Sequence, residues 1–255
     1  MGKILTPEKT ALLPSLADAY ETPSFINGDP SCFMHKVKGE LNQETMAWIA
    51  SVLSYGNRKQ FMLRIQHLLN LSDGEPYQWI RNGRYKGTFP NDDSCFYRLH
   101  THRTFTSFLQ VTQQLLNEYE SLKNYIRATK ACTGLEVAKA LCQWYSVYEL
   151  NGLVPKNTTS CCKRVCMMMR WMVRDNSPVD LGLWNGLVDK RTLIIPMDTH
   201  VIDSAIKLGL ITSKSATMSA AIYLTNVLRE AFPTDPLKAD FALFGAGIAN
   251  GIDSV

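Results

Sequence analysis

Apolar residues recur at helical spacing along most of the chain. Met46, Ile49 and Leu53 lie three or four residues apart and predict a helix over 42–70, with Asn42 as its cap. The same spacing, bounded by Gly or Pro, predicts further helical segments over 105–122, 134–148, 160–173, 198–208, 216–231 and 240–248. The hydrophobic pattern therefore predicts an all-α fold of nine to eleven helices.

Other segments lack this periodicity. Residues 1–41, 71–94 and 175–190 contain turn-forming Gly and Pro residues and are predicted as connecting loops. Strand signals are scarce, because Leu193-Ile194-Ile195 is the single clear β-branched run and it is short. No repeat or low-complexity tract interrupts the pattern.

Composition narrows the class of protein. The 255 residues include 45% hydrophobic and 20% charged side chains, which are ordinary values for a globular chain. The net charge of +4 permits a nucleic-acid partner without requiring one. Neither a signal peptide nor an apolar stretch of membrane-spanning length is recognisable, so we expect a cytoplasmic protein without a membrane partner.

The cysteines do not predict a metal centre. There are seven, none at CxxC spacing, and Cys162 and Cys166 have no further pair that would complete a zinc or iron–sulfur tetrad. We therefore expect free, buried thiols in a reducing compartment, and no cofactor.

Two segments carry candidate chemistry. On the helix over 160–173, one apolar stripe lies beside a second stripe formed by Lys163, Arg170 and Arg174. Downstream, an apolar run leads through Pro196 to Asp198 at the start of a helix. Taken separately, these patterns also describe an ordinary surface helix and an ordinary helix cap.

Together the two segments resemble the helix-hairpin-helix DNA glycosylases of base-excision repair, the group of endonuclease III and the 8-oxoguanine glycosylases. Lys163 matches the family's catalytic lysine, and Asp198-Thr199-His200-Val201 with Lys207-Leu208-Gly209-Leu210 matches its aspartate segment. A weaker match lies at 46–57, so the resemblance covers about 45–210 with gaps. The chain looks closest to a bacterial family of unassigned function (DUF2400-like).

The chain differs from the glycosylase pattern in several respects. The segment Val154–Thr159, where the hairpin is expected, has Pro155 but no Gly pair. Asp203 stands where an Arg is common. The 35-residue spacing from Lys163 to Asp198 resembles that of the archaeal 8-oxoguanine glycosylases, and the iron–sulfur cysteines of endonuclease III are absent.

The resemblance implies a two-lobed fold with a cleft, in which 42–182 form a central lobe and 1–41 with 183–255 form the second. It also implies a monomer whose substrate is duplex DNA with a damaged base, and an oxidised purine is the candidate lesion. Lys163 would attack C1′ as a Schiff-base nucleophile, while Asp198 stabilises the developing positive charge and accepts a proton.

Further site residues follow as expectations. Supporting residues are His200, Thr199 and Arg164. Phosphate contacts are Lys156, Arg170, Arg174, Arg58 and Lys59. The base pocket draws on the aromatic residues Tyr55, Trp48 and Trp171, with Trp144 and Trp184 in the same pool.

Three alternatives remain open at this stage. The first is a glycosylase without lyase activity, in which Asp198 activates water. The second is a non-catalytic DNA-binding member of the fold. The third is a metal hydrolase whose ligands would be His100, His102, Asp198 and His200. The neighbouring Arg98 and Arg103 disfavour the metal interpretation.

Overall fold

The computed structural model describes residues 5–248 and is mostly helical, which confirms the all-α prediction. Twelve α-helices lie within this range. They are α1 Pro7–Tyr20, α2 Cys32–His35, α3 Glu40–Leu53, α4 Arg58–Leu71, α5 Pro76–Arg81, α6 His102–Tyr119, α7 Leu122–Thr129, α8 Gly134–Ser146, α9 Lys163–Val173, α10 Thr199–Lys207, α11 Met218–Leu228 and α12 Lys238–Ile248. No helix in this range is both long and apolar enough to cross a bilayer.

The structure corrects several sequence-based boundaries. The helix predicted over 42–70 is two helices, because Gly56 has a φ of 78° and Asn57 caps α4 through a bond from the backbone N–H of Gln60. The region 1–41 was wrongly predicted as loop-rich: α1 begins at Pro7, and Thr6 caps it. In 71–94, helix α5 was likewise missed.

The strand signals were also misleading. The small antiparallel sheet consists of β1 Cys95–Tyr97 and β2 His100–Thr101, which the pattern did not predict. The run Leu193–Ile195 is buried but forms no strand. Instead, the backbone N–H of Ile195 donates to the Thr225 hydroxyl at 3.0 Å.

Contacts group the residues into two compact units. Unit 1 comprises Met1–Asn27, Cys132–Ala138 and Thr158–Val255, and unit 2 comprises Gly28–Ala131 and Lys139–Asn157. These bounds differ from those of the lobes expected over 42–182 and over 1–41 with 183–255. Helix α9 groups with the C-terminal helices, and Arg170 of α9 and Arg174 after it pair with carboxylates of the same unit.

Each unit has its own core. In unit 2, the indole N–H of Trp48 donates to the Tyr145 hydroxyl at 2.8 Å, and the hydroxyl groups of Tyr145 and Thr112 are 2.9 Å apart. All three side chains are buried. In unit 1, α12 packs against both α1 and α10, so this helix organises the elements around the candidate site.

Gly245 allows α1 to approach α12 closely. A Cβ atom at this position would lie 2.3 Å from Cγ of the Tyr20 ring. We expect Gly245→Ala to lower the free energy of unfolding by about 1–3 kcal/mol through overpacking, as measured by urea denaturation. The same change should cost less in a Tyr20→Leu background. Equal losses in both backgrounds would contradict this explanation.

Candidate active site

Lys163 is the first residue of α9. The preceding Cys162 has a φ of 47°, a left-handed conformation that turns the chain into the helix. Ser160 forms an isolated antiparallel bridge with Thr217, and the backbone N–H of Cys161 donates to the carbonyl of Ala216 at 2.8 Å. The start of α9 is therefore fixed beside the segment that precedes α11.

Asp198 caps α10, as the sequence predicted. Its Oδ1 accepts a hydrogen bond from the backbone N–H of Val201 at 2.8 Å. The helix ends at Lys207, and Gly209, with a φ of 64°, closes it. Because the cap bond uses Oδ1, the second carboxylate oxygen of Asp198 is oriented away from the helix backbone and is available to another group.

The structure brings Lys163 and Asp198 together. Nζ of Lys163 lies 3.8 Å from Oδ2 of Asp198, although 35 residues separate them in the sequence. The side chains are 31% and 15% exposed, so a substrate can reach the amine while the carboxylate stays fixed. The starts of α9 and α10 both lie at this place, and helix N-termini carry partial positive charge that attracts anionic groups.

Arg170 and Arg174 were wrongly predicted as phosphate contacts. Their side chains are 4% and 2% exposed, so they cannot meet a DNA backbone. Arg170 pairs with Asp240 and Asp180, and Arg174 pairs with three carboxylates. They are Asp180, Asp235 and Glu21. The Phe241 ring lies 4.6 Å from the guanidinium of Arg170 and 5.2 Å from that of Arg174.

Asp240 connects this buried ionic cluster to the Lys163–Asp198 pair. The pKa of Asp240 is raised to about 6, chiefly because its carboxyl group is buried. The positive charge of Arg170 opposes the rise, and the negative charge of Asp198 adds to it. The charge of Asp198 thus acts on the buried cluster, which the sequence pattern gave no means of finding.

The predicted supporting residues lie near the pair in the chain, with different exposures. Thr199 and His200 open α10 and are exposed, whereas Arg164, the second residue of α9, is half-buried. The His200 ring lies edge-on to Phe244 of α12, with centroids 5.7 Å apart. Phe244 is half-buried and was not among the aromatic residues selected from the sequence.

The predicted base pocket is largely wrong. Trp48 and Trp171 are fully buried core residues, and so is Trp184. Tyr55 is half-buried in unit 2, where its hydroxyl donates to the carbonyl of Tyr97 at 3.2 Å. Aromatic residues are the preferred core material of a chain this size, and nothing in their spacing separates core from pocket.

The other predicted phosphate contacts lie on the surface of unit 2. Arg58 pairs with Asp29 at 3.4 Å, Lys156 pairs with Glu149 at 3.1 Å, and Lys59 is exposed. Surface ion pairs of this kind are weak enough for a phosphate to displace the carboxylate. Their role in DNA binding stays a prediction.

The hairpin segment does not form as predicted. Helix α8 ends at Ser146, and residues 147–162 contain turns, bends and one bridge. Asn151 and Gly152 both have positive φ values and make a turn before Val154, so no helix directly precedes Val154–Thr159.

The remaining predictions concern the cysteines and the candidate metal ligands. Four cysteines are buried, as expected, but Cys95 and Cys132 are exposed, and the seven thiols are free. Within residues 5–248, no three His, Cys, Asp or Glu side chains are grouped so as to hold a metal ion.

These features define an all-α protein in which a partly exposed Lys–Asp pair joins the starts of two helices. The chain belongs to the family described as Protein of unknown function (DUF2400), whose model matches residues 29–249 and so includes both members of the pair. No curated protein and no solved structure matches it. The resemblance to this family of unassigned function is thereby confirmed, and the resemblance to helix-hairpin-helix glycosylases stays a prediction.

Proposed function

We propose that this protein is a base-excision DNA glycosylase with AP-lyase activity, in which Lys163 is the nucleophile and Asp198 the assisting carboxylate. The observation that carries the proposal is the 3.8 Å approach of the Lys163 amine to Asp198 while both side chains remain partly exposed. An exposed ion pair adds little stability, so a structural role alone is a poor reason for this arrangement.

The reaction assigns each group one task. Asp198 accepts a proton from the Lys163 ammonium, and the neutral amine attacks C1′ of the nucleotide. The bond from C1′ to the base breaks, and the base leaves with the bonding electrons and takes up the proton that Asp198 accepted, which restores the carboxylate. Asp198 stabilises the positive charge that develops on the sugar. The nitrogen of the adduct then gives a proton to O4′ as the C1′–O4′ bond breaks, which opens the ring and leaves an iminium ion. Loss of a C2′ proton to water expels the 3′ phosphate with the electrons of the C3′–O bond, and water hydrolyses the iminium to release Lys163.

The substrate class follows from the same chemistry. The C1′ atom is reached only when the nucleotide leaves the base stack, which is easiest for a damaged base. An oxidised purine in duplex DNA is the lesion we propose, because the spacing between Lys163 and Asp198 resembles that of the archaeal 8-oxoguanine glycosylases.

A panel of duplexes, each with a single damaged base, tests the proposal together with Asp198→Asn. Asparagine is as good a helix cap as aspartate, so α10 should form normally. Base release on the best substrate should slow by about a hundredfold, because the charge that stabilises the sugar cation is lost. The measurement is the rate of base release under single turnover.

Asp175→Asn is the matched control. Asp175 also pairs with a lysine in unit 1, Lys190, but away from the helix starts that carry the candidate site. Its variant should release the base at the wild-type rate. If wild-type protein cleaves none of the duplexes, or if Asp198→Asn is as fast as wild type, the proposed function fails. Binding of DNA without any cleavage would favour the non-catalytic member of the fold.

A further inference from the structure

A separate cavity lies within unit 2. It has a volume of about 410 Å³ and is formed where α6, α7 and α8 meet. Gln114 lies on α6, Tyr125 on α7 and Trp144 on α8, and Tyr148 follows α8. This volume falls in the range of small-molecule sites, roughly 300–1,000 Å³.

One wall of this cavity is aromatic and firmly held. The Tyr125 and Trp144 rings have centroids 5.0 Å apart, and Tyr119 packs behind them at 5.2 and 5.7 Å. The Tyr125 hydroxyl donates to the carbonyl of Ala140 at 2.9 Å, and the indole N–H of Trp144 donates to that of Val111 at 3.4 Å. Rings fixed in this way provide a preformed surface for stacking.

Two side-chain amides and three hydroxyl groups line the cavity, and none of its lining residues is charged. The hydroxyl groups of Tyr125 and Thr129 donate to backbone carbonyls of their own unit. The Tyr148 hydroxyl donates to Oε1 of Gln114 at 2.8 Å, which leaves the Gln114 NH₂ group for a ligand. The exposed side-chain amide of Gln143 makes no hydrogen bond to the described residues. Two amides beside an aromatic wall match a planar ring that carries both donors and acceptors.

We propose that this cavity binds an uncharged planar heterocycle of the nucleobase type. The aromatic wall stacks on the ring, and the amides of Gln114 and Gln143 contact its edge. A phosphate group finds no cation among the lining residues, so recognition rests on the base alone. The inference does not depend on the Lys163–Asp198 pair, and its test does not measure catalysis.

Tryptophan fluorescence provides the test. Trp144 is half-buried, whereas Trp48, Trp79, Trp171 and Trp184 are at most 3% exposed, so quenching by a bound base reports mainly on this cavity. The full chain is titrated with guanosine, with guanosine monophosphate and with a short guanine-containing single strand. We expect saturable quenching with a dissociation constant on the order of 1 mM or below for guanosine.

Gln143→Ala should weaken guanosine binding by roughly fivefold through loss of one hydrogen bond. Gln60→Ala removes an equally exposed glutamine from α4 of the same unit and should leave the affinity unchanged. Trp144→Phe should abolish the quenching signal while saturation-transfer NMR still detects guanosine.

The titrations also decide the source of the base. Equal affinity for guanosine and its monophosphate supports recognition of the base alone. If the strand binds more tightly than guanosine, and Gln143→Ala weakens its binding to the same extent, the natural ligand is a base within a strand. The inference is overturned if neither guanosine nor the strand gives saturable quenching, or if both glutamine variants behave alike. Tighter binding of N-acetyltryptophanamide would also overturn it, in favour of an aromatic side chain.

Discussion

Glutamine in place of Lys163 is expected to abolish the covalent adduct that borohydride traps on abasic-site DNA, and to slow strand cleavage by about a thousandfold. The carboxamide is neither a nucleophile nor a proton donor to Asp198, so no Schiff base forms. Because the lysine side chain is 31% exposed and lies at the first position of α9, its loss should not disturb the core.

Lys190→Gln is the matched control for this experiment. Lys190 also lies in unit 1, its side chain is 32% exposed, and its amine lies 2.5 Å from Asp175. A variant at this position removes the same charge from a similar pair, and should trap and cleave as the wild type does. Trapping of Lys163→Gln at the wild-type level would exclude Lys163 as the nucleophile.

An intermediate result would also be informative. If wild-type protein releases a damaged base but never forms a trapped adduct, and Lys163→Gln retains base release, the protein is a monofunctional glycosylase. Asp198 then activates water, and Lys163 contributes its charge alone.

The second large effect is expected on the free energy of unfolding when the buried ionic cluster is broken. Arg174→Met should lower the free energy of unfolding by about 3–5 kcal/mol, because breaking a buried ionic cluster leaves carboxylates without a counter-charge. Arg174 is 2% exposed and pairs with Asp180, Asp235 and Glu21. Thermal and urea denaturation should show the loss, with the melting temperature lower by roughly 10 °C.

Arg191→Met provides the comparison. Arg191 pairs with Asp189 at 2.7 Å, but its side chain is 66% exposed, so solvent already screens the pair. We expect almost no change in its unfolding free energy. If Arg174→Met proves as stable as Arg191→Met, then packing of the methionine fully replaces the contribution of the buried cluster, and the explanation is wrong.

The cluster has a further consequence for the candidate site. Asp240 forms an ion pair with Arg170, and the negative charge of Asp198 contributes to the raised pKa of Asp240. Variants of Arg170 or Asp240 should therefore alter the environment of Asp198 as well as stability. This is why Asp198→Asn and Lys163→Gln, which keep every ion pair of the cluster, are the cleaner tests of chemistry.

The arginine stripe shows how local pattern misleads. Lys163, Arg170 and Arg174 share one side of α9 in the sequence, and a stripe of cations beside an apolar stripe usually faces solvent. In the structure Lys163 remains accessible, while the two arginines are buried beside carboxylates of α12, of the nearby Asp180 and of the distant Asp235. Helical periodicity identifies residues that share a face, but only the elements that pack against that face decide whether it is exposed to solvent.

The sequence by itself determined the features that depend on neighbours along the chain. The helical class, the cap at Asp198 and the closure at Gly209 follow from spacing and from hydrogen bonds within a few residues, which any fold would preserve. The missed helices α1, α2 and α5 lie in segments where Pro and Gly obscure the local signal. Helix α7 was missed as well, although it contains neither residue.

Only the tertiary structure decided the burial of Arg170 and Arg174, the core position of Trp48 and Trp171, and the 3.8 Å contact between Lys163 and Asp198. Each of these depends on groups that are tens of residues apart in the sequence. The free energy of such contacts comes from excluding water and compensating charge between elements, and a pattern of local spacing contains no information about which elements meet.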